Sequence, residues 1–498
     1  MDPAPDTRLL IALLAPLVGA GLVMATGRRP NLREACSLAA ALTLFTITAS
    51  MVPDIQAGRT LSFRMFELLP GLSFSLRADA LSMVFAVSAS FLWVLTVFYS
   101  AGYMRGLEEH AQTRFNVCFA LALFGAIGCA FADNLLTLYL FYEIVSLGTY
   151  PLVAHHQDQE SYEGARKYLV YLTTAAKGLI LPAMALIYVL TEGNLEFADN
   201  IRSGILPAGT GQAMVTGLYL CCLLGFAKNG LMPLHSWLPS AMVAPTPVSA
   251  LLHAVAVVKV GVFSTIRVML YVFGVDQMDA MNLGLPTAYF VSVTILVASV
   301  VALSKDNLKA RLAYSTVSQL AYIILGVALL TPAAIEGGVV HIANHAFSKI
   351  TLFFCAGAIY VATHKKNISE MSGLGRVMPV TFGAFAIASL SMIGAPPVAG
   401  FVTKWHLLLG AWDAQSAGIL VVLLVSTLLN VAYFAPVVYQ AFFGRRPEGS
   451  ATEGVREAPL AMVIPLSLTA AISVLIGVYP DLFMNFARAI TKTLISLP

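Results

Sequence analysis

Charge is scarce in this 498-residue sequence. Asp, Glu, Lys and Arg make up 11% of it, whereas an ordinary soluble domain carries about 25%. Hydrophobic residues supply 58% and the mean hydropathy is +0.81, which excludes a soluble protein of this size. The formal net charge is only +3, and that balance gives no reason to expect a nucleic-acid partner. Cysteine is also sparse. Cys36, Cys118, Cys129, Cys221, Cys222 and Cys355 show no CxxC spacing and read as packing residues, which argues against iron-sulfur, haem or zinc ligation in this chain. No metal and no cofactor are expected, and any redox chemistry belongs to a partner. Long polar connections are lacking too. The longest, about 53–79, has 27 residues, too few for a soluble catalytic domain.

What the sequence has in abundance is apolar runs. A membrane helix needs about 20 mostly apolar residues, and fourteen candidate stretches follow one another from about 9–25 to about 458–480. The expected fold is an all-α polytopic membrane protein. The leading MDPAPDTR is not basic and no small-residue cleavage site precedes Arg28 and Arg29, so the first stretch reads as a span and not as a cleaved signal. Sixteen Lys and Arg fall in the odd-numbered connections, among them Arg28, Lys305, Lys365, Arg445 and Arg446, against four in the even-numbered ones, Arg59, Arg64, Arg77 and Arg202. Basic connections stay in the cytoplasm, so both termini are expected outside an inner (plasma) membrane.

Against this background the charges left within spans stand out. They are Lys177, Lys228, Lys259, Arg267, Lys349, Lys404 and, of the acids, Glu143. Each costs at least ~2.5 kcal/mol at the bilayer centre on insertion scales. Arg267 is read as a snorkelling side chain near a span end. The five lysines have one carboxylate among them and cannot all stay comfortably charged, so some exchange protons. Together with His253, His341 and His345 they suit a proton path across a membrane. His341, His345 and Lys349 recur at i, i+4 and i+8 and share one helix face. The alternative for that stripe is polar glue between helices. Lys177 is expected at a depth similar to Glu143 and is read as its second partner, competing with Lys228. Otherwise it packs against another helix or a carbonyl.

Two spans carry proline at comparable places. GFAKNGLMPLHSWLPSA has Lys228 shortly before Pro233, and SMIGAPPVAGFVTKW has Pro396 and Pro397 before Lys404. Broken helices in corresponding positions point to an inverted repeat with its site near the midplane. Spans 4–8 and 9–13, with spans 7 and 12 broken, are the natural units. The chain then divides into 1–114 with three spans, a first repeat at 115–274, a second at 286–443, and 444–498 with a connection and the last span.

The segments LYLFYEIVSLGTYPLV, KNGLMPLHSWLPSAMVAPTPVSALLHAVAVVKVG, KARLAYSTVSQLAYI, HIANHAFSK and GFVTKW carry a resemblance. Over about 80–440 the chain resembles the antiporter-like subunits shared by Mrp cation/proton antiporters, the D-type subunit most of all, and the membrane arm of respiratory complex I. That resemblance implies fourteen helices with two inverted five-helix repeats. It also implies a Glu143 to Lys228 pair, a central Lys259 with His253 beside it, His345 and Lys349 further along, and Lys404 toward the exit. The implied function is proton translocation within a complex of several membrane subunits, coupled either to a monovalent cation such as Na+ or to redox chemistry in a partner. A non-transporting scaffold is disfavoured by the buried lysines. Glu143 alone is a poor cage for a hard cation that prefers several oxygens.

Overall fold

The computed structural model describes residues 5–69, 72–445 and 456–495. α1 (Thr7–Ala25) and α2 (Pro30–Gln56) lead to α3 (Ala80–Gly106), α4 (Gln112–Ala130), α5 (Leu135–Val153) and α6 (Gln159–Leu190). α7 (Gln212–Gly225) stops short and gives way to turns, and α8 covers 246–273 with π-type segments at Leu251–Val255 and Met269–Phe273. α9 (Gly284–Leu303), α10 (Leu308–Ala328), α11 (Pro332–Thr363), α12 (Pro379–Ile393), α13 (Ala399–Asp413), α14 (Ala417–Phe443), α15 (Leu460–Val478) and α16 (Asp481–Ile495) complete the order. Among the described residues ten helices are long and apolar enough to cross a membrane, and α7 and α12 are shorter apolar helices. The chain is therefore a polytopic, mostly helical membrane protein. Arg446 and the side chain of His253 lie outside the described residues.

Several helix starts are written in the sequence. Asp79, Asn134, Asp158 and Asn307 each accept a backbone N–H from three residues on, at 2.7–3.0 Å. Each supplies a partner for a first-turn donor that the helix itself cannot satisfy. Burial then sorts the helices into layers. Within its apolar window α3 is 89% buried and α11 78%, while α1, α2, α14 and α15 are 33–39% buried. The last four present rows such as Val421, Leu424 and Leu428 outward, as lipid-facing surfaces do.

Two elements depart from the all-α expectation and from the span list. Within the connection 53–79, β1 (Leu61–Leu69) pairs antiparallel with β2 (Leu72–Ala78), Leu61 facing Ala78 and Phe63 facing Leu76. Asn134 Nδ2 donates to Ser73 O at 2.6 Å and Arg77 N to Phe131 O at 2.6 Å, fastening the hairpin to the α4–α5 connection. The alternation of Leu72, Phe74 and Leu76 with Ser73, Ser75 and Arg77 is the period-2 signal of a strand, hidden in what reads as a loop. Beyond the last span, α16 buries Phe483, Met484, Phe486, Ala487 and Ile490. Its Thr491 Oγ1 donates to Glu336 Oε1 at 2.7 Å, giving a partner to a buried acid of α11.

Arg267 does not snorkel. The residue is 1% exposed, and its guanidinium forks onto Asp79 at 2.5 and 3.0 Å, with a third bond to Ser82 Oγ at 2.8 Å. Tyr271, Phe263 and Phe197 surround it with ring centroids 4.7–5.5 Å away. Asp79 thus caps α3 and neutralises a charge on α8 at once. A snorkelling cation would accept lysine, whereas a bidentate fork would not. Arg267→Lys is expected to lower the melting temperature of the purified chain in detergent. Asp79→Asn should do so as well, since an unpaired buried charge costs about 3–5 kcal/mol. An unchanged melting temperature for Arg267→Lys would restore the snorkelling account.

Candidate functional site

Glu143 sits halfway along α5, and Lys228 lies inside the break that follows α7. The sequence places Lys228 shortly before a break at Pro233. In fact the helix already ends at Gly225, and Lys228 occupies the 3₁₀ turn Ala227–Asn229. Broken helices expose backbone groups that lipid cannot satisfy, and here neighbouring side chains supply the partners. Asn229 Nδ2 donates to Leu223 O at 2.9 Å and its Oδ1 accepts from Leu231 N at 3.0 Å. Trp237 Nε1 donates to Ala227 O at 3.0 Å. Gly261 of α8 lies so close that a Cβ there would stand 2.1 Å from the carbonyl carbon of Lys228. That contact needs glycine.

Lys228 is fully buried. Its Nζ donates to Tyr142 O at 2.8 Å and lies 3.1 Å from the centroid of the Tyr142 ring, while Tyr142 Oη accepts from Lys228 N at 3.1 Å. The expected Glu143–Lys228 pair is therefore not a closed ion pair. The amine is held by the residue before Glu143, and Glu143 Oε1 is buried with no hydrogen-bond partner among the described residues. Lys228 and Lys177 both act electrostatically on the Glu143 carboxylate. Lys177 stands in a π-type turn, Ala176–Ile180, on the exposed side of α6. Its closed contact with Glu143 is likewise absent.

The centre is more tightly joined. Lys259, 1% exposed on α8, meets His345 of α11 with Nζ 2.9 Å from Nδ1. One turn earlier on α11, His341 places Nε2 3.1 Å from Gln319 Oε1 and Nδ1 3.2 Å from Thr403 Oγ1. The two imidazole centroids are 5.6 Å apart. One turn later Lys349 Nζ donates to Ser315 Oγ of α10 and faces the Phe434 ring at 5.8 Å. The i, i+4, i+8 stripe is real. Its members reach different neighbours, Thr403 on α13 at one end and Ser315 at the other.

The second break runs over 394–398, between α12 and α13. Lys404 Nζ reaches back across it to Ile393 O at 2.7 Å and onto Thr427 Oγ1 at 2.9 Å, so the amine caps the carbonyl end of α12. Gly394 has φ +87°, and a Cβ on it would meet the Lys404 Cδ at 2.5 Å. Asn344 Nδ2 donates to Ala399 O at 2.9 Å and Thr403 Oγ1 at 3.0 Å, holding the start of α13 against α11. The Tyr322 ring lies 5.9 Å from His341 and 5.6 Å from Lys404 Nζ.

The structure thus brings Lys259, His341, His345 and Lys404 into one buried network, sets Lys349 at its flank, and leaves Glu143 and Lys228 adjacent without contact. Residues that the sequence reading passed over are Tyr142, Asn229, Ser315, Gln319, Asn344 and Thr403. Each is polar within an apolar run, a signal it shares with many hydroxyl and amide residues that only bond their own helix.

Comparison with known proteins places this geometry in a family. The family model described as NADH:quinone oxidoreductase/Mrp antiporter, TM, matches residues 132–430, and one described as NADH-ubiquinone oxidoreductase (complex I), chain 5 N-terminus, matches 70–116. NADH-quinone oxidoreductase subunit N of Desulforudis audaxviator is 32% identical, covering 89% of this chain and 90% of its own. Subunit L of Mycobacterium tuberculosis is 33% identical over 95% of this chain and 74% of its own. An Na(+)/H(+) antiporter protein of Alkalihalophilus pseudofirmus is 31% identical over 83% of this chain, which spans about half (53%) of that longer protein. A chain of the Mrp complex from Dietzia sp. shares the fold at a TM-score of 0.86 and 21% identity, covering 98% of this chain and 97% of that one. A chain of the archaeal membrane-bound sulfane sulfur reductase does so at 0.87 and 23%, covering 98% of both. On the match over 132–430 and these relatives, the chain belongs to the NADH:quinone oxidoreductase/Mrp antiporter transmembrane family.

Proposed function

We propose that this chain is a proton-translocating subunit of a multisubunit membrane complex, working in monovalent cation (Na+)/proton antiport of the Mrp type. The observation that carries the reading is the buried Lys259–His345 hydrogen bond, an amine set on an imidazole where a proton passes between nitrogens by reorientation of either group. Glu143, Lys228 and Lys177 form the first-repeat end of the path, with His253 on α8 beside the centre. His345, His341 and Lys349 continue it along α11, and Lys404 is its terminal relay. Other membrane subunits complete the complex, and the cation is handled together with them.

In this reading α7 with the turns after it is one broken span and α12 with α13 another, which gives fourteen spans. The repeats are 115–274 and 286–443, preceded by 1–114 and followed by 444–498. Both termini lie outside the inner membrane. A second reading, a proton pump driven by redox chemistry in a partner, is favoured by the near-complete mutual coverage with NADH-quinone oxidoreductase subunit N. In proteoliposomes holding the complex, a pH gradient collapsed by added Na+ supports antiport. A gradient built by an added electron donor supports the pump.

Three outcomes are expected. Glu143→Ala and Lys228→Ala should each abolish proton flux while the complex still assembles, because each charge depends on the other's field. Near-wild-type flux in either would dismiss the pair. Lys404→Arg keeps the charge but cannot release its proton. Since a positioned proton-transfer group contributes about 10²-fold or more, flux should fall at least that far. Retained flux would reject the relay. Cysteines placed at 365 and 445 should react only from the cytoplasm, and those at 199 and 276 only from outside. Labelling of position 365 from outside would overturn the orientation.

A further inference from the structure

On the face where the basic connections gather, three imidazoles close around one carboxylate. Glu109 and His110 lie in the turn between α3 and α4, while His155 and His156 follow the end of α5. His155 Nε2 and His156 Nδ1 each stand 3.6 Å from Glu109 Oε2, and His110 Nδ1 stands 4.0 Å from it. The His110 and His155 rings are 4.8 Å apart and the His155 and His156 rings 5.5 Å. One ligand atom each from Glu109, His110 and His155 lies within 4.8 Å of the others. We propose that Glu109, His110, His155 and His156 bind a divalent transition-metal ion, of which Zn2+ is the type.

Two observations point to a ligand beyond clustering. His155 is wholly buried, yet neither of its ring nitrogens has a hydrogen-bond partner among the described residues. A buried imidazole left so costs free energy that a metal bond would remove. The spacings also match. With Zn–N of about 2.0–2.1 Å and Zn–O of about 2.0–2.2 Å, the edge of a tetrahedron is about 3.4 Å. Ligand atoms now stand 3.6–4.0 Å from Glu109 Oε2, and those of Glu109, His110 and His155 lie within 4.8 Å of one another, so side-chain rotations of about an ångström close the set around an ion. Imidazole nitrogen with one carboxylate oxygen suits Zn2+ and its neighbours over Ca2+ or Mg2+, which take oxygen alone.

The surroundings agree with this chemistry. Arg114 donates to His155 O at 2.9 Å and Gln112 Nε2 to Glu109 O at 3.1 Å, fixing the two backbone segments that carry the ligands. His156 and Glu109 also wall a cavity of about 490 Å³. The ligands form two dipeptides far apart in the chain, so no spacing rule sees them. The expectation that this chain holds no metal rests on cysteines without CxxC spacing and without a histidine set near them, and the cysteines take no part here.

The site is tested on the purified complex, stripped with chelator and titrated with Zn2+ against a chromophoric competitor, and separately with Co2+. One Zn2+ per copy of this chain and the intense visible bands of tetrahedral Co2+ are expected. His155→Ala should abolish both signals. Glu109→Gln, which keeps the side chain's volume, should weaken Zn2+ at least tenfold while the metal-free melting temperature stays within a few degrees. His364→Ala, on an exposed histidine elsewhere, should change nothing. Absence of stoichiometric Zn2+ in the wild type, or full Zn2+ binding in Glu109→Gln and His155→Ala, would overturn the proposal.

Discussion

The hydrogen bond from Lys259 to His345 is the contact on which the rest of the interior depends. It joins α8, beside the first helix break, to α11, which packs against the second. In hydrocarbon neither group finds water, so each must be satisfied by protein or cost several kcal/mol. One bond gives a partner to two side chains from opposite halves of the chain. Around it Gln319, Thr403 and Ser315 give partners to His341, Asn344 and Lys349.

The breaks follow the same logic on the backbone. A helix that stops at Gly225 or Ile393 strands carbonyls inside a membrane protein. At the first break Asn229 and Trp237 take up the freed groups. At the second the Lys404 amine itself does, through Ile393 O. The lysine that the proposed path uses is therefore also a structural cap, and its proton and its fold are linked. The glycines at 261 and 394 let side chain and backbone meet there, since any Cβ would enter the space of Lys228 or of the Lys404 stem.

Much of this was legible in the sequence, and the failures have physical causes. Apolar run length gave the helical membrane fold, because the bilayer sets a length no soluble protein needs. The costly lysines and the HIANHAFSK spacing gave the interior site, because charge in a span is too expensive to be idle. Arg267 was misjudged because its partner Asp79 sits just outside a span and far off in sequence. The hairpin at 61–78 was missed because run length hears only spans, and α16 because half of its surface is polar. The Glu109 and histidine cluster was invisible for a similar reason, since two ordinary dipeptides become a site only when α3 and α5 end side by side.

The static arrangement also says where the proposed path must move. Lys259 is hydrogen-bonded to His345, the His345 and His341 rings are 5.6 Å apart, and the Tyr322 ring stands between His341 and Lys404, 5.9 Å from the one and 5.6 Å from the amine of the other. At the other end Glu143 and Lys228 are not in contact. The lysine is turned to Tyr142 O, and the carboxylate has a buried oxygen without a partner. A charge left half satisfied is the least stable point in the array, and an amine that leaves Tyr142 for Glu143 exchanges a carbonyl for a carboxylate. Two arrangements of one lysine, close in energy and different in charge pairing, are what a switch requires. On the proposed function, coupling to the rest of the complex therefore belongs at α5 and the first break, where the charges are unpaired, and not at the hydrogen-bonded Lys259–His345 centre.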